Sequence, residues 1–96
     1  MAAYVVFIRE EITNQTELDA YAIEAPAAAE GHRVSFLPLN GKHEVLEGNL
    51  MEGAAILRFP TFEEAKQWYA SPAYQHASTH RHRGANYRVF ILEGAD

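Results

Sequence analysis

Three groups of residues have the types and the spacing to do chemistry. The first lies in "FPTFEEAKQWYASPAYQ", residues 59–75, where five aromatics crowd one short segment. On a helical wheel Phe62, Ala65 and Tyr69 share one stripe and read as core. Trp68 falls at the edge of that stripe, and Tyr74 lies beyond the Ser71-Pro72 break. Trp68, Tyr69, Ser71 and Tyr74 can therefore wall an apolar pocket with a few polar tips, a common make-up of small-molecule sites. Tyr21, on an earlier helix, adds a hydroxyl from the other side. The bland alternative is that all five aromatics are packing.

The second group is "HASTHRHR", residues 76–83. If this segment is helical, His76 and His80 share a face at i and i+4, a workable spacing for two metal ligands, and His82 is a candidate third. A zinc site needs three or four ligands with supporting partners, and no HExxH pattern or adjacent carboxylate accompanies these histidines. The expectation is therefore no metal and no other cofactor. With Arg81 and Arg83 the segment is also the only basic concentration in an acidic chain, suited to an anionic ligand. A solvated helix end is the competing reading. The third group is the "GKHEVLEG" segment, where His43, Glu44 and Glu47 offer acid–base groups, though a charged edge hairpin explains them equally well. The chain has no nucleophile elbow, phosphate-cradling loop or dinucleotide fingerprint.

The elements that must position these groups follow closely on one another. "AYVVFIR" (Ala3 to Arg9) is β-branched and aromatic and reads as a strand. A helix is expected over about 14–30, capped by Asn14 with Glu17 three residues on, kinked near Ala22 by Pro26 and stopped at Gly31. Its stripe is Leu18, Tyr21, Ala22, Ala25 and Ala29. Residues 32–39 read as a second strand that ends or lies at an edge at Pro38. Asn40-Gly41 turns the chain into a short return strand over 43–48. Residues 54–59 form another strand, and Thr61 with Glu64 makes a capping box for a helix that Ser71-Pro72 ends. A helical or irregular piece runs to about Arg83, and residues 86–94 close the chain as a strand. The order is β-α-β, a hairpin arm, then β-α-β, an α+β chain with the split βαβ of the ferredoxin-like fold and two helices on one face of an antiparallel sheet.

Three of the strands are apolar on both faces. Tyr4, Val6 and Ile8 oppose Val5 and Phe7; Tyr87, Val89 and Ile91 oppose Phe90 and Leu92; Ala55, Leu57 and Phe59 oppose Ala54 and Ile56. A solvated face alternates with polar residues. The simplest cover for the second face is the same face of another copy, so a sheet-to-sheet homodimer is expected. The 96 residues read as a single domain over 1–96. A net charge of −5 disfavours nucleic acid. No apolar run reaches the ~20 residues that span a bilayer, and the chain lacks cysteine, which fits a reducing compartment and a cytoplasmic protein.

The same residues resemble a known family. "EVLEG" (Glu44 to Gly48), "RFPTFEEAKQWYASPAYQ" (Arg58 to Gln75) and "YRVFILEG" (Tyr87 to Gly94) look like the bacterial DUF1330 proteins of the dimeric α/β-barrel group, over nearly the whole chain. The resemblance implies a ferredoxin-like subunit paired sheet to sheet. It also implies that Tyr21, Glu47, Ser71, Tyr74 and Arg81 are recurring polar positions, while His76, His80 and His82 stand outside the family phrase. Distant members of the wider group include cofactor-free monooxygenases, lactone isomerases, polyketide cyclases and haem enzymes; that analogy is one of fold. Two readings stay open beside each other. One is a homodimer whose cleft binds a small aromatic or carboxylate ligand, with Glu47 or a histidine as base and tyrosine hydroxyls plus Arg81 holding negative charge. The other is a non-catalytic module, with a histidine-ligated metal enzyme as a third.

Overall fold

A computed structural model describes residues 1–95. The elements run β1 (Ala3–Ile12), α1 (Gln15–Ala28), β2 (Ser35–Leu39), β3 (Gly53–Phe59), α2 (Phe62–Ala70), α3 (Pro72–Gly84) and β4 (Ala85–Glu93). The strands form one antiparallel sheet in the order β2-β3-β1-β4. This is the ferredoxin-like α+β architecture the element order implied, with three helices on its covered face rather than two.

Local chemistry sets the element ends. Asn14, extended at the N-terminus of α1, accepts from the Glu17 amide at 3.3 Å. Thr61 accepts from the Glu64 amide at 3.1 Å. The Glu64 carboxylate accepts in turn from the Thr61 hydroxyl and, through both oxygens, from Arg33 at 2.8 Å. Ser71 has extended backbone, which ends α2, and its hydroxyl accepts from the Tyr74 amide, which starts α3 on Pro72. Helix α1 carries Pro26 inside its last turn, and Gly31 follows with a left-handed φ of 82°. Residues 72–84 are helical throughout.

The region between β2 and β3 departs from expectation. Strand β2 begins at Ser35, later than residue 32, and its pairing with β3 shifts register between Phe36 and Leu39, around Pro38, which has no N–H to give. Asn40 turns the chain in the left-handed region (φ 55°), and its amide bonds Ala54 O at 2.7 Å. The return strand over 43–48 does not form. That stretch is an irregular excursion in which Leu46 and Leu50 are exposed, and the hairpin partner of β2 is β3 itself. A segment with no neighbour at the correct register gains no ladder bonds, and Gly48, at φ 99°, sits in a conformation that breaks a strand.

The two faces of the sheet divide as the alternation requires. Ala3, Val5 and Phe7 of β1 pair across to Phe59, Leu57 and Ala55 of β3, and these lie under the helices with Tyr87, Val89 and Ile91. The opposite face carries Tyr4, Val6, Ile8, Ala54, Ile56, Arg58, Arg88, Phe90 and Leu92, and there Phe90 is 42 % and Leu92 59 % exposed. No helix of the described residues is long and apolar enough to cross a membrane.

Helices α1 and α3 pack so closely that one position between them has no room for a side chain. The Gly84 carbonyl accepts from the amides of Thr13 and Asn14 at 2.8 and 3.0 Å. A Cβ on Gly84 would lie 2.7 Å from Leu18 Cδ2 and 3.0 Å from the Leu18 backbone nitrogen. Gly84→Ala is therefore expected to lower stability by about 1–3 kcal/mol, because overpacking outweighs the gain in helix propensity. Urea unfolding measures this; wild-type stability in the variant would contradict so tight a crossing.

Candidate functional site

Short side chains on α1 leave a space between that helix and the sheet. Leu18, Tyr21, Ala22 and Ala25, most of the expected apolar stripe, face it, and the alanines do not reach the sheet. The result is a cleft of about 300 Å³. Phe7 and Tyr87 contribute to it from β1 and β4, Phe36, Leu39, Ala55 and Leu57 from β2 and β3, and Trp68 from α2. Arg9, Gln15, Asp19 and Asn40 add the polar part of the lining, with Gln15 Nε2 donating to Asp19 Oδ1 at 2.9 Å.

Behind this cleft lies a buried polar assembly. Tyr74, Ala77, Ser78 and Arg81 share the inner face of α3, spaced by successive helical turns. Tyr74 is fully buried, and its hydroxyl lies 2.8 Å from that of Tyr21, which reaches across from α1. Arg81 is only 2 % exposed, and its guanidinium carbon lies 5.5 Å from the Phe7 ring centroid and 5.0 Å from that of Tyr87. It also lies close enough to the Tyr74 hydroxyl to lower that group's pKa. Among the described residues no carboxylate pairs with Arg81.

Burial raises both phenol pKa values. The Tyr21 hydroxyl is pushed far above its ordinary range, first by burial and then by the neighbouring Tyr74. Burial also raises Tyr74, but Arg81 and the hydrogen bond with Tyr21 pull it back. Either hydroxyl of the pair can donate to the other, and an order in which Tyr74 donates to Tyr21 leaves Tyr21 with a proton to give.

Several buried donors in and behind the cleft lining lack an acceptor. Three buried nitrogens have no hydrogen-bond partner among the described residues: Arg9 Nε, Trp68 Nε1 and Arg81 Nε. All are N–H donors, and Arg9 and Trp68 line the cleft. A buried donor without an acceptor costs about 1–3 kcal/mol, so each of these groups calls for an acceptor.

The residues singled out from sequence land in different places. Trp68, expected at the margin of its helix, is buried at 2 % exposure, while Phe62 and Tyr69, expected as core, are half-buried. The reversal arises because α2 is wedged between the sheet and α3, so that Trp68 packs against Phe59 and Phe7 on one side and Tyr74 on the other, its ring centroid 4.1 Å from that of Tyr74. Tyr69 stacks on Tyr74 from outside, and Ser71 is occupied as a cap, its hydroxyl donating to Trp68 O at 2.7 Å. Glu47 lies on the exposed excursion between β2 and β3, outside the cleft lining. Arg81, read as part of a basic helix end, is in the interior.

The histidines are held by acids of α1. His80 meets Glu17 Oε2 through Nδ1 at 3.1 Å and Glu24 Oε2 through Nε2 at 2.7 Å, and His76 Nε2 lies 3.4 Å from Glu24 Oε1. His82 is exposed, its pKa lowered by partial burial and by Arg81. No group of three or more His, Cys, Asp or Glu with the geometry to hold a metal ion occurs among the described residues. Arg9, Asn40, Gln15 and Asp19 escaped the sequence reading. The signal was an arginine ending an apolar strand and an Asn-Gly turn, both of which read as ordinary surface features.

The fold has close counterparts among solved structures. A protein of unknown function from Rhodopseudomonas palustris superposes with a TM-score of 0.78 at 13 % identity, over 99 % of this chain and 83 % of that one. SnoaB, a cofactor-independent oxygenase from Streptomyces nogalater, gives 0.65 at 8 % identity over 99 % and 94 %. A dimeric ferredoxin-like protein of unknown function from Thermobifida fusca gives 0.67 at 7 % identity over 98 % and 92 %. At these identities the likeness is one of fold. A comparison with curated proteins gives no match. The DUF1330 profile, a domain of unknown function, matches residues 2–95, and the chain belongs to that family.

Proposed function

We propose that the cleft between α1 and the sheet binds a small organic molecule through an acceptor oxygen, and that any chemistry there is cofactor-independent proton transfer. The observation that carries this reading is a set of three buried N–H groups that find no acceptor among the described residues, two of them on residues that line the cleft. A carbonyl, enolate or carboxylate oxygen complements that set, and the apolar walls accept a flat hydrocarbon body. The Arg81–Tyr74–Tyr21 chain then presents a neutral phenol backed by a buried cation, the arrangement that stabilises negative charge developing on oxygen. Asp19, the carboxylate of the cleft lining, is the nearby group able to take a proton. The likeness to a cofactor-independent oxygenase accords with such chemistry.

The second face of the sheet supports a homodimer, as do relatives described as dimeric. Sedimentation at micromolar concentration is expected to give twice the 10.8 kDa chain mass, and Phe90→Asp with Leu92→Asp to give the monomer. A monomeric wild type would remove the dimer from the account.

The ligand reading is tested by Arg81→Met. A buried cation without a carboxylate costs stability, so the melting temperature should hold or rise, whereas affinity for a bound aromatic acid or ketone should fall roughly tenfold or more. Unchanged affinity in a folded variant would end the proposed role of Arg81.

Alkaline titration reads the phenol pair directly. Free tyrosine ionises near pH ~10. Both pKa values are raised in the folded state, so the pair's contribution to stability is complete below that pH and declines as pH climbs toward the raised values. Of five tyrosines, two should ionise only as the protein unfolds, and Tyr21→Phe should remove one of these from the absorbance change near 295 nm. Ionisation of all five before unfolding would contradict the buried pair.

A further inference from the structure

The cleft has a second cationic group, built with as much local constraint as the first. Arg9 pairs across the sheet with Gly53 of β3 and Tyr87 of β4, immediately before a register shift in the β1–β4 ladder. Its Nη2 donates to Glu52 O at 2.8 Å, which pins the guanidinium against β3, while its buried Nε has no partner. The missing side chain of Gly53 makes this placement possible. A Cβ there would lie 2.8 Å from Arg9 Nη2, 3.0 Å from Arg9 Cζ and 2.6 Å from Asn40 Oδ1. The guanidinium and the Asn40 amide therefore converge over one glycine, at the edge of the cleft that both residues line. Asn40 is itself fixed by its left-handed backbone and by its amide bond to Ala54 O.

We propose that Arg9 and Asn40, seated on Gly53, form a carboxylate subsite that makes the cleft selective for organic monocarboxylic acids with a flat apolar body. The inference rests on the reading of the cleft as a ligand site and deepens it. The arginine fork is the donor that matches a planar carboxylate, and Asn40, whose Oδ1 lies over Gly53 beside the guanidinium, helps to place it. The rings of Phe7 and Tyr87, which Arg81 backs, give the hydrocarbon part its surface. Two acids stand near the subsite: Asp19, which accepts from Gln15, and Glu52, whose carboxylate accepts from the Ile12 amide at 2.8 Å. Their negative charge limits the guest to a single charge, so dianions such as phosphate monoesters are disfavoured. Gly53 is a positioning residue: a methyl group at this position would push aside two flexible side-chain ends and leave the β3 backbone in place.

Calorimetric binding of the matched probes 2-naphthoate and 2-naphthamide tests this, using wild-type protein, Arg9→Met and Gly53→Ala. Wild type is expected to bind the acid roughly tenfold or more tightly than the amide. Arg9→Met and Gly53→Ala should bind acid and amide nearly alike, the acid affinity falling roughly tenfold or more and the amide affinity much less, with the unfolding midpoint close to wild type. Gly53→Ala keeps every charge and moves one of them, so loss of acid preference there separates position from net charge, and it carries the test should Arg9→Met fold poorly. Equal binding of acid and amide by wild type, or acid preference retained in both variants, overturns the subsite and leaves the cleft reading standing. Uptake of neither probe by wild type removes the cleft reading, and the subsite with it.

Discussion

The interior of this protein is organised around a cation that no acid answers among the described residues. Arg81 lies on α3, against the rings of Phe7 and Tyr87 and beside the Tyr74 hydroxyl, with its Nε unpartnered among those residues. Burying a guanidinium without a carboxylate is costly, and cation–π contacts of ~1–2 kcal/mol offset only part of that cost. The neighbouring elements are consistent with holding it there. Helix α3 begins at a Ser-Pro cap that sets its rotation, Tyr74 and Arg81 then fall on one face, and Tyr21 crosses from α1 to complete the chain. Natural proteins retain such costly groups where function needs them.

The cleft follows from the same arrangement. Helix α1 is anchored to α3 by the Gly84–Leu18 approach and by the His80 and His76 contacts with Glu17 and Glu24. Between these anchors α1 presents alanines to the sheet, so the gap stays open where a run of leucines would have closed it. The open space and the neutral phenol behind it are two consequences of one packing arrangement.

The sequence made the fold legible because the governing signals are local and redundant. Asn14, Thr61 with Glu64, and Ser71-Pro72 mark helix ends by chemistry that acts within one turn. The two-faced apolar strands announced a sheet with the helices on one face and an apolar second face. The strand expected over 43–48 failed because alternation shows what a strand requires but not whether a neighbour exists to pair with it. The site was legible only in part. Of the residues singled out, Tyr21 and Trp68 line the cleft and Tyr74 and Arg81 pack behind it, and Trp68 and Arg81 are more deeply buried than a helix margin and a basic helix end imply. A helical wheel places a residue relative to its own axis; the wedge of α2 between sheet and α3 is a tertiary fact. Arg9, Gly53 and Asn40 come together only through strand register, which no local pattern encodes.

The most direct test of the central claim is a crystal structure of the protein soaked in 2-naphthoate. The account predicts ligand density between α1 and the sheet, against Phe7, Tyr87 and Trp68, with one ligand oxygen within hydrogen-bond distance of the Arg9 guanidinium. Ligand bound elsewhere, with the cleft between α1 and the sheet left empty, would contradict it.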